Sequence, residues 1–313
     1  RGHEAPWPAD PGQPLMPLWA LVALVAAATQ TARNAAQASL TATIGTVGAT
    51  QVRFLFGLPF AVVFLALVMI TTGEALPSLT SRSLAYTIMG AMAQIGATAL
   101  MLVTMKSQSF SVTTAWLKIE PVIVALGAAA LLRDPLSWPA LGAIAIATSG
   151  VLVMSVKPAR DPRDWLTPGP ALTGLAAAAL FGLSAIGFRG GVTGLESGGT
   201  LIRSTATLVL SLTLQTGTLL VWMGLFDRKA LVASLTHWRG SLGAGFLGAF
   251  ASQFWFLGFA LTSAANIRTL ALAEVIFAQI VARVHFGQKL TRRQALGMGL
   301  IVLGVGLLLQ SQR

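Results

Sequence analysis

Ten apolar runs follow one another along the chain, at about 16–36, 47–72, 84–105, 110–132, 138–156, 170–188, 199–225, 239–261, 264–286 and 293–310. A helix rises about 1.5 Å per residue, so each run is near the ~20 residues that cross ~30 Å of hydrocarbon. This constrains the fold more than any other feature, because a backbone in lipid must satisfy its own hydrogen bonds and a helix does so within one segment. Composition agrees: 55% of the residues are hydrophobic and 10% are charged, against about 25% charged in an average soluble domain. The expected fold is an all-α membrane protein with ten transmembrane helices.

Glu120 and Glu274 each lie within such a run, and each opens a similar passage. At the same distance downstream come Leu136-Ser137 and Leu290-Thr291, then Ala140-Leu141-Gly142 and Ala295-Leu296-Gly297. Further matches are Arg33 with Arg189, Arg53 with Arg203, and Gln94 with Gln253. The chain therefore reads as two related halves of five helices, and an odd number of crossings inverts the second half relative to the first. The expected organisation is a disordered proline-rich tail at 1–14, a first five-helix repeat at 15–156, a linker at 157–169 and a second repeat at 170–313. The linker carries Arg160, Asp161, Arg163 and Asp164 among prolines 158, 162 and 168. The first run is read as a retained span rather than a cleaved leader.

Charge inside a bilayer is costly and marks a functional site or pathway. Glu120, Glu274 and Lys118 are the first candidates for substrate binding. Pro121 removes a backbone donor beside them, which predicts a helix kink that frees the Leu117 carbonyl next to Trp116, Lys118 and Glu120. Lys118 and Glu120 point about 200° apart on one helix, and Arg268 and Glu274 about 240° apart, so partners must come from other helices. The repeat admits Lys118 with Glu274, or Arg268 with Glu120. A structural salt bridge, or snorkelling of Arg268 to the interface, is the competing reading. Gln30, Gln94 and Gln253 are expected to line a cavity or to bond between helices, and Trp116 and Trp255 to stack on a substrate or pack. Polarity places this cavity among the first, third, fourth, sixth, eighth and ninth runs, leaving the fifth and tenth peripheral. Arg33, Arg53, Arg189 and Arg203 lie near expected helix ends and read as lipid anchors.

These residues carry a resemblance. Arg53-Phe54, Pro121, Asp134-Pro135-Leu136-Ser137, Gly142 and Gly150 are similar to the repeat of the drug/metabolite transporter superfamily, in its ten-helix EamA-type branch. The second half departs from that pattern, with Val275 near the expected proline and Gln288-Lys289-Leu290-Thr291 lacking the acid. The resemblance covers about 16–310 and implies the family's fold and a transport role. It also implies both termini inside, whereas the Lys and Arg tally places more positive charge on the opposite face.

Other classes find no support in the sequence. There is no cysteine, so disulfides, iron–sulfur clusters and thiolate metal sites are excluded. His3, His237 and His285 lie far apart, so no metal site is expected. The net charge of +11 is spread over loops, where it meets anionic lipid rather than nucleic acid. No phosphate-binding loop, paired-His motif or nucleophile elbow is present, so neither an enzyme nor a cofactor is expected. The reading is a secondary transporter of the bacterial inner membrane, working by alternating access. It would move a small polar or zwitterionic solute, amino acid-like or nucleobase-like, with protons as candidate coupling ion. A channel, or a non-transporting assembly or sensor subunit of the same fold, is the alternative.

Overall fold

The computed structural model describes residues 17–107, 117–134, 136–155, 168–273 and 291–311. Among these every regular element is helical. In chain order they are α1 (Leu18–Leu55), α2 (Gly57–Thr72), α3 (Ser81–Ser107), α4 (Glu120–Leu132), α5 (Trp138–Ser155), α6 (Pro168–Thr193), α7 (Thr200–Phe226), α8 (Arg228–Thr236), α9 (Trp238–Leu261), α10 (Ala264–Leu270), a 3₁₀ turn (Ala271–Ala273) and α11 (Arg292–Gln310). Among the described residues six segments are long and apolar enough to cross a membrane: Val47–Thr72, Ser81–Met101, Leu172–Thr193, Thr200–Phe226, Trp238–Leu261 and Arg292–Gln310. Leu18–Gln30, Glu120–Leu132 and Trp138–Val153 are shorter apolar helices. The tail at 1–14 and nearly all of the 157–169 linker lie outside the described residues, and the run at 264–286 is described only as far as Ala273.

Local chemistry sets the boundaries. α1 runs well past 36, the expected end of the first run, and is broken at Gly45, whose φ of 72° and ψ of 173° suit glycine alone. The helix resumes and continues into α2 as the second span. Asp227, Ser263 and Thr291 cap α8, α10 and α11 with side-chain oxygens, which accept from N–H groups that the first turn leaves unpaired. Thr291 and Gln294 complete a capping box.

Small residues decide which helices touch. α3 and α6 run antiparallel with their backbones in contact: a Cβ on Gly187 would lie 2.6 Å from both Cα and N of Gly90. α5 and α11 pair in the same way, with Gly150 against the Gly297 carbonyl and Gly304 against Ala147. α1 packs along α9, where Gly245 meets Phe56. Such close approach lets dispersion and weak polar contacts hold helices together where lipid offers no hydrophobic drive. The buried core is accordingly rich in alanine. Large apolar side chains point outward instead: Val62, Val63, Leu67 and Ile70 on α2 and Val302 and Leu303 on α11 are exposed, as suits a lipid-facing surface.

One end of the bundle is tied between residues 74–83 and 191–199. Ser78 donates its N–H to Ser197 Oγ at 2.9 Å, and their hydroxyl oxygens lie 3.2 Å apart. Thr80 Oγ1 donates to the Gly194 carbonyl and Ser83 Oγ to that of Gly191. The Gly199 N–H donates to Glu74 Oε2. The start of α3 is thereby stitched to the end of α6.

Candidate functional site

Glu120 begins α4, with Pro121 in the first turn, where its missing N–H costs little. Lys118 and Ile119 form a turn immediately before it. The expected mid-helix kink thus takes the form of a helix start at Glu120. Trp116 and Glu274 lie outside the described residues.

Four of the sequence candidates meet. Arg268, in the last turn of α10, holds Nε 3.0 Å from Glu120 Oε1, with side chains only 14% and 17% exposed. The two atoms approach without a well-directed N–H···O bond, so the contact is an ion pair more than an aligned hydrogen bond. The Arg268 guanidinium lies 5.0 Å over the Trp255 ring and 5.9 Å from the Phe259 ring, a cation–π arrangement that favours a desolvated charge. Trp255 Nε1 donates to Gln30 Oε1 at 3.0 Å. A chain of contacts therefore runs Gln30, Trp255, Arg268, Glu120, drawing on α1 and α4 from the first half and α9 and α10 from the second.

Gln94 and Gln253 bind elsewhere. Gln94 Oε1 accepts from Gln215 Nε2 at 2.7 Å, and Gln253 Nε2 donates to Thr205 Oγ1 at 2.9 Å. Gln215 and Thr205 both sit on α7 and are buried, so these glutamines join α3 and α9 to α7. None of the four residues in the chain lies on α5 or α11.

Two features escaped the sequence reading. Arg189 is an interhelical tie rather than a lipid anchor: its Nε donates to Asp134 Oδ2 at 2.7 Å and its Nη2 to Oδ1 at 3.2 Å. Its Nη1 donates to the carbonyls of Phe259 and Thr262, which the end of α9 would otherwise leave without partners. Arg33, expected at a helix end, stands within α1 and is 5% exposed. That the helix continues past 33 was signalled, since no proline or glycine directly follows Arg33; its burial was not. A cavity of about 610 Å³ opens at the opposite end of α9, lined by Leu40, Thr43 and residues from Thr236 to Gly240. It includes none of the candidate residues. Among the described residues no cluster of His, Cys, Asp and Glu could hold a metal.

Comparison with known proteins fits this geometry. Residues 169–310 match the EamA-like transporter family. That EamA-like unit spans the second half of the chain, consistent with a member of the drug/metabolite transporter superfamily and with an integral membrane protein of transporter type. A solved structure titled "Crystal structure of protein" superposes with a TM-score of 0.65 at 12% identity, covering 93% of this chain and 94% of its own. At that identity the likeness is one of fold, and it extends over both halves. No curated protein matches the chain.

Proposed function

We propose that the chain is a secondary transporter of the bacterial inner membrane that moves a small polar or zwitterionic solute by alternating access. The observation that carries this reading is the Arg268–Glu120 pair, a partly accessible ion pair contributed by both halves. Two charges that meet across the halves are expensive to separate in a low-dielectric interior. When the halves rock apart, the solute's own charged groups replace what each partner loses. A proton on Glu120 would do the same for the carboxylate, which couples the motion to a proton gradient.

Partner choice among the helices supports ten spans in two inverted five-helix repeats, 15–156 and 170–313. α1 packs on α9 and α3 on α6; under the repeat these are the same pairing, first span on third, made once in each direction. α5 on α11 pairs the two fifth spans with each other. The tied end of the bundle is then one gate, closed here.

The test is solute exchange by the purified chain in liposomes, after a thermal-shift screen of metabolites has named ligands by the stabilisation they confer. Saturable counterflow supports a carrier. Single-channel conductance, or no flux with a stably copurifying protein, would contradict it.

A further inference from the structure

α8 is a nine-residue helix set between two long apolar segments, Thr200–Phe226 and Trp238–Leu261, so it lies where the bundle meets the membrane surface. Its make-up suits that level. Val232 and Leu235 are exposed, as are Trp222, Phe226 and Trp238 beside them, and such a mixture of apolar and aromatic side chains settles between headgroups and acyl chains. From Trp222 to Gly240 the chain carries three cations, Arg228, Lys229 and Arg239, and one carboxylate, Asp227. Asp227 is turned to the start of α8, where it accepts from the Ala230 N–H at 3.1 Å. The cavity of about 610 Å³ opens at the other end of α8, between Leu40 and Thr43 of α1 and the residues from Thr236 to Gly240. Arg239, exposed there, holds its guanidinium 5.3 Å over the Trp238 ring, which positions the cation without neutralising it. His237 Nδ1 donates to the Ala233 carbonyl at 3.1 Å and so fixes the imidazole against α8.

We propose that this cavity seats the phosphodiester headgroup of one anionic phospholipid, of the phosphatidylglycerol type. The planar fork of Arg239 matches two phosphate oxygens, and Thr43 brings a hydroxyl to the headgroup's own. The exposed aromatic and aliphatic side chains on the same corner give the acyl chains an apolar surface. A free phosphate would use the arginine and leave that surface unused, which favours a lipid. The seat is shared between α1 and the α8–α9 corner: a Cβ on Gly240 would have Leu40 Cδ2, at 4.0 Å, as its described neighbour. A bound headgroup therefore joins these helices at the end of the bundle away from the Ser78–Ser197 stitch. This inference needs only the membrane and stands apart from the transporter reading.

The test titrates the full chain in dodecyl maltoside micelles with phosphatidylglycerol or phosphatidylcholine and counts bound lipid by native mass spectrometry. Expected is one phosphatidylglycerol retained per chain, saturably and in preference to phosphatidylcholine. Arg239→Gln should weaken that binding by about tenfold, or ~1.4 kcal/mol. Gly240→Leu should weaken it as much, because it fills the cavity with no change of charge. Lys229 lies roughly 10 Å along α8 from Thr236, so Lys229→Gln removes the same charge away from the cavity and should leave retention close to the parent's. If Arg239→Gln does not fold, Gly240→Leu and Lys229→Gln decide the matter. Equal losses in Arg239→Gln and Lys229→Gln would mean diffuse attraction to a charged surface. Full retention in Gly240→Leu would place the lipid elsewhere. Displacement of the lipid by an equal concentration of inorganic phosphate would make the ligand a free anion. Each of these results overturns the proposal, as does equal retention of the two lipids.

Discussion

At the scale of single residues, Glu120 is the group whose removal should separate coupling from structure. Glu120→Gln removes the carboxylate that pairs with Arg268 and leaves its aromatic contacts with Trp255 and Phe259, so it should destabilise the protein by about 1–3 kcal/mol. Removing Arg268 as well, in Glu120→Gln/Arg268→Gln, should recover much of that loss. Thermal unfolding of both single variants and the double variant reads the coupling; additive losses would mean the pair is incidental. Under proton coupling Glu120→Gln should keep solute exchange while losing pH-driven accumulation, and accumulation equal to the parent's would reject that role. The pairing of Arg268 with Glu120 was within reach of the sequence, because the expected repeat would make their helices equivalent and helical angles forbid partners on the same helix. The burial of Arg33 and the tie made by Arg189 were not. A residue's distance from a helix end says nothing about which way its side chain turns, and that direction is fixed only when the helices pack.

At the scale of elements, backbone contact makes some glycines irreplaceable and leaves others free. Gly187→Ala sets a Cβ against the Gly90 backbone and the Tyr86 carbonyl, neither of which can move aside without parting α3 from α6. A loss of about 1–3 kcal/mol is expected. Gly142→Ala meets nothing within 4 Å and should leave Tm within error of the parent, although the family resemblance singles that glycine out. Gly45→Ala also meets no neighbour, yet its backbone conformation alone should cost about 1–3 kcal/mol. Thermal melts of the three variants check the ranking. Arg189→Gln removes both bonds to Asp134 and the cap on α9, and should lower stability by about 2 kcal/mol. The spans were legible because apolar runs of helical length announce themselves. The break at Gly45 was not, since a lone glycine among alanines and threonines marks a break only when its dihedral angles are known. Gln94 and Gln253 were recognised as a matched pair, but their shared attachment to α7 depends on which face of each helix meets it.

At the scale of the whole molecule, the proposed mechanism has two halves move about the Arg268–Glu120 site and requires the end stitched by Ser78 and Ser197 to open during transport. The absence of cysteine in the chain makes this directly testable, because a pair introduced at Ser78 and Ser197, whose hydroxyl oxygens lie 3.2 Å apart, can cross-link only with itself. Solute exchange by Ser78→Cys/Ser197→Cys in liposomes, measured under oxidising conditions and again after reduction, is the decisive experiment. Exchange should be lost on oxidation and recovered with reductant. Equal exchange in both conditions would show that this end stays shut while solute crosses, and would contradict alternating access through it.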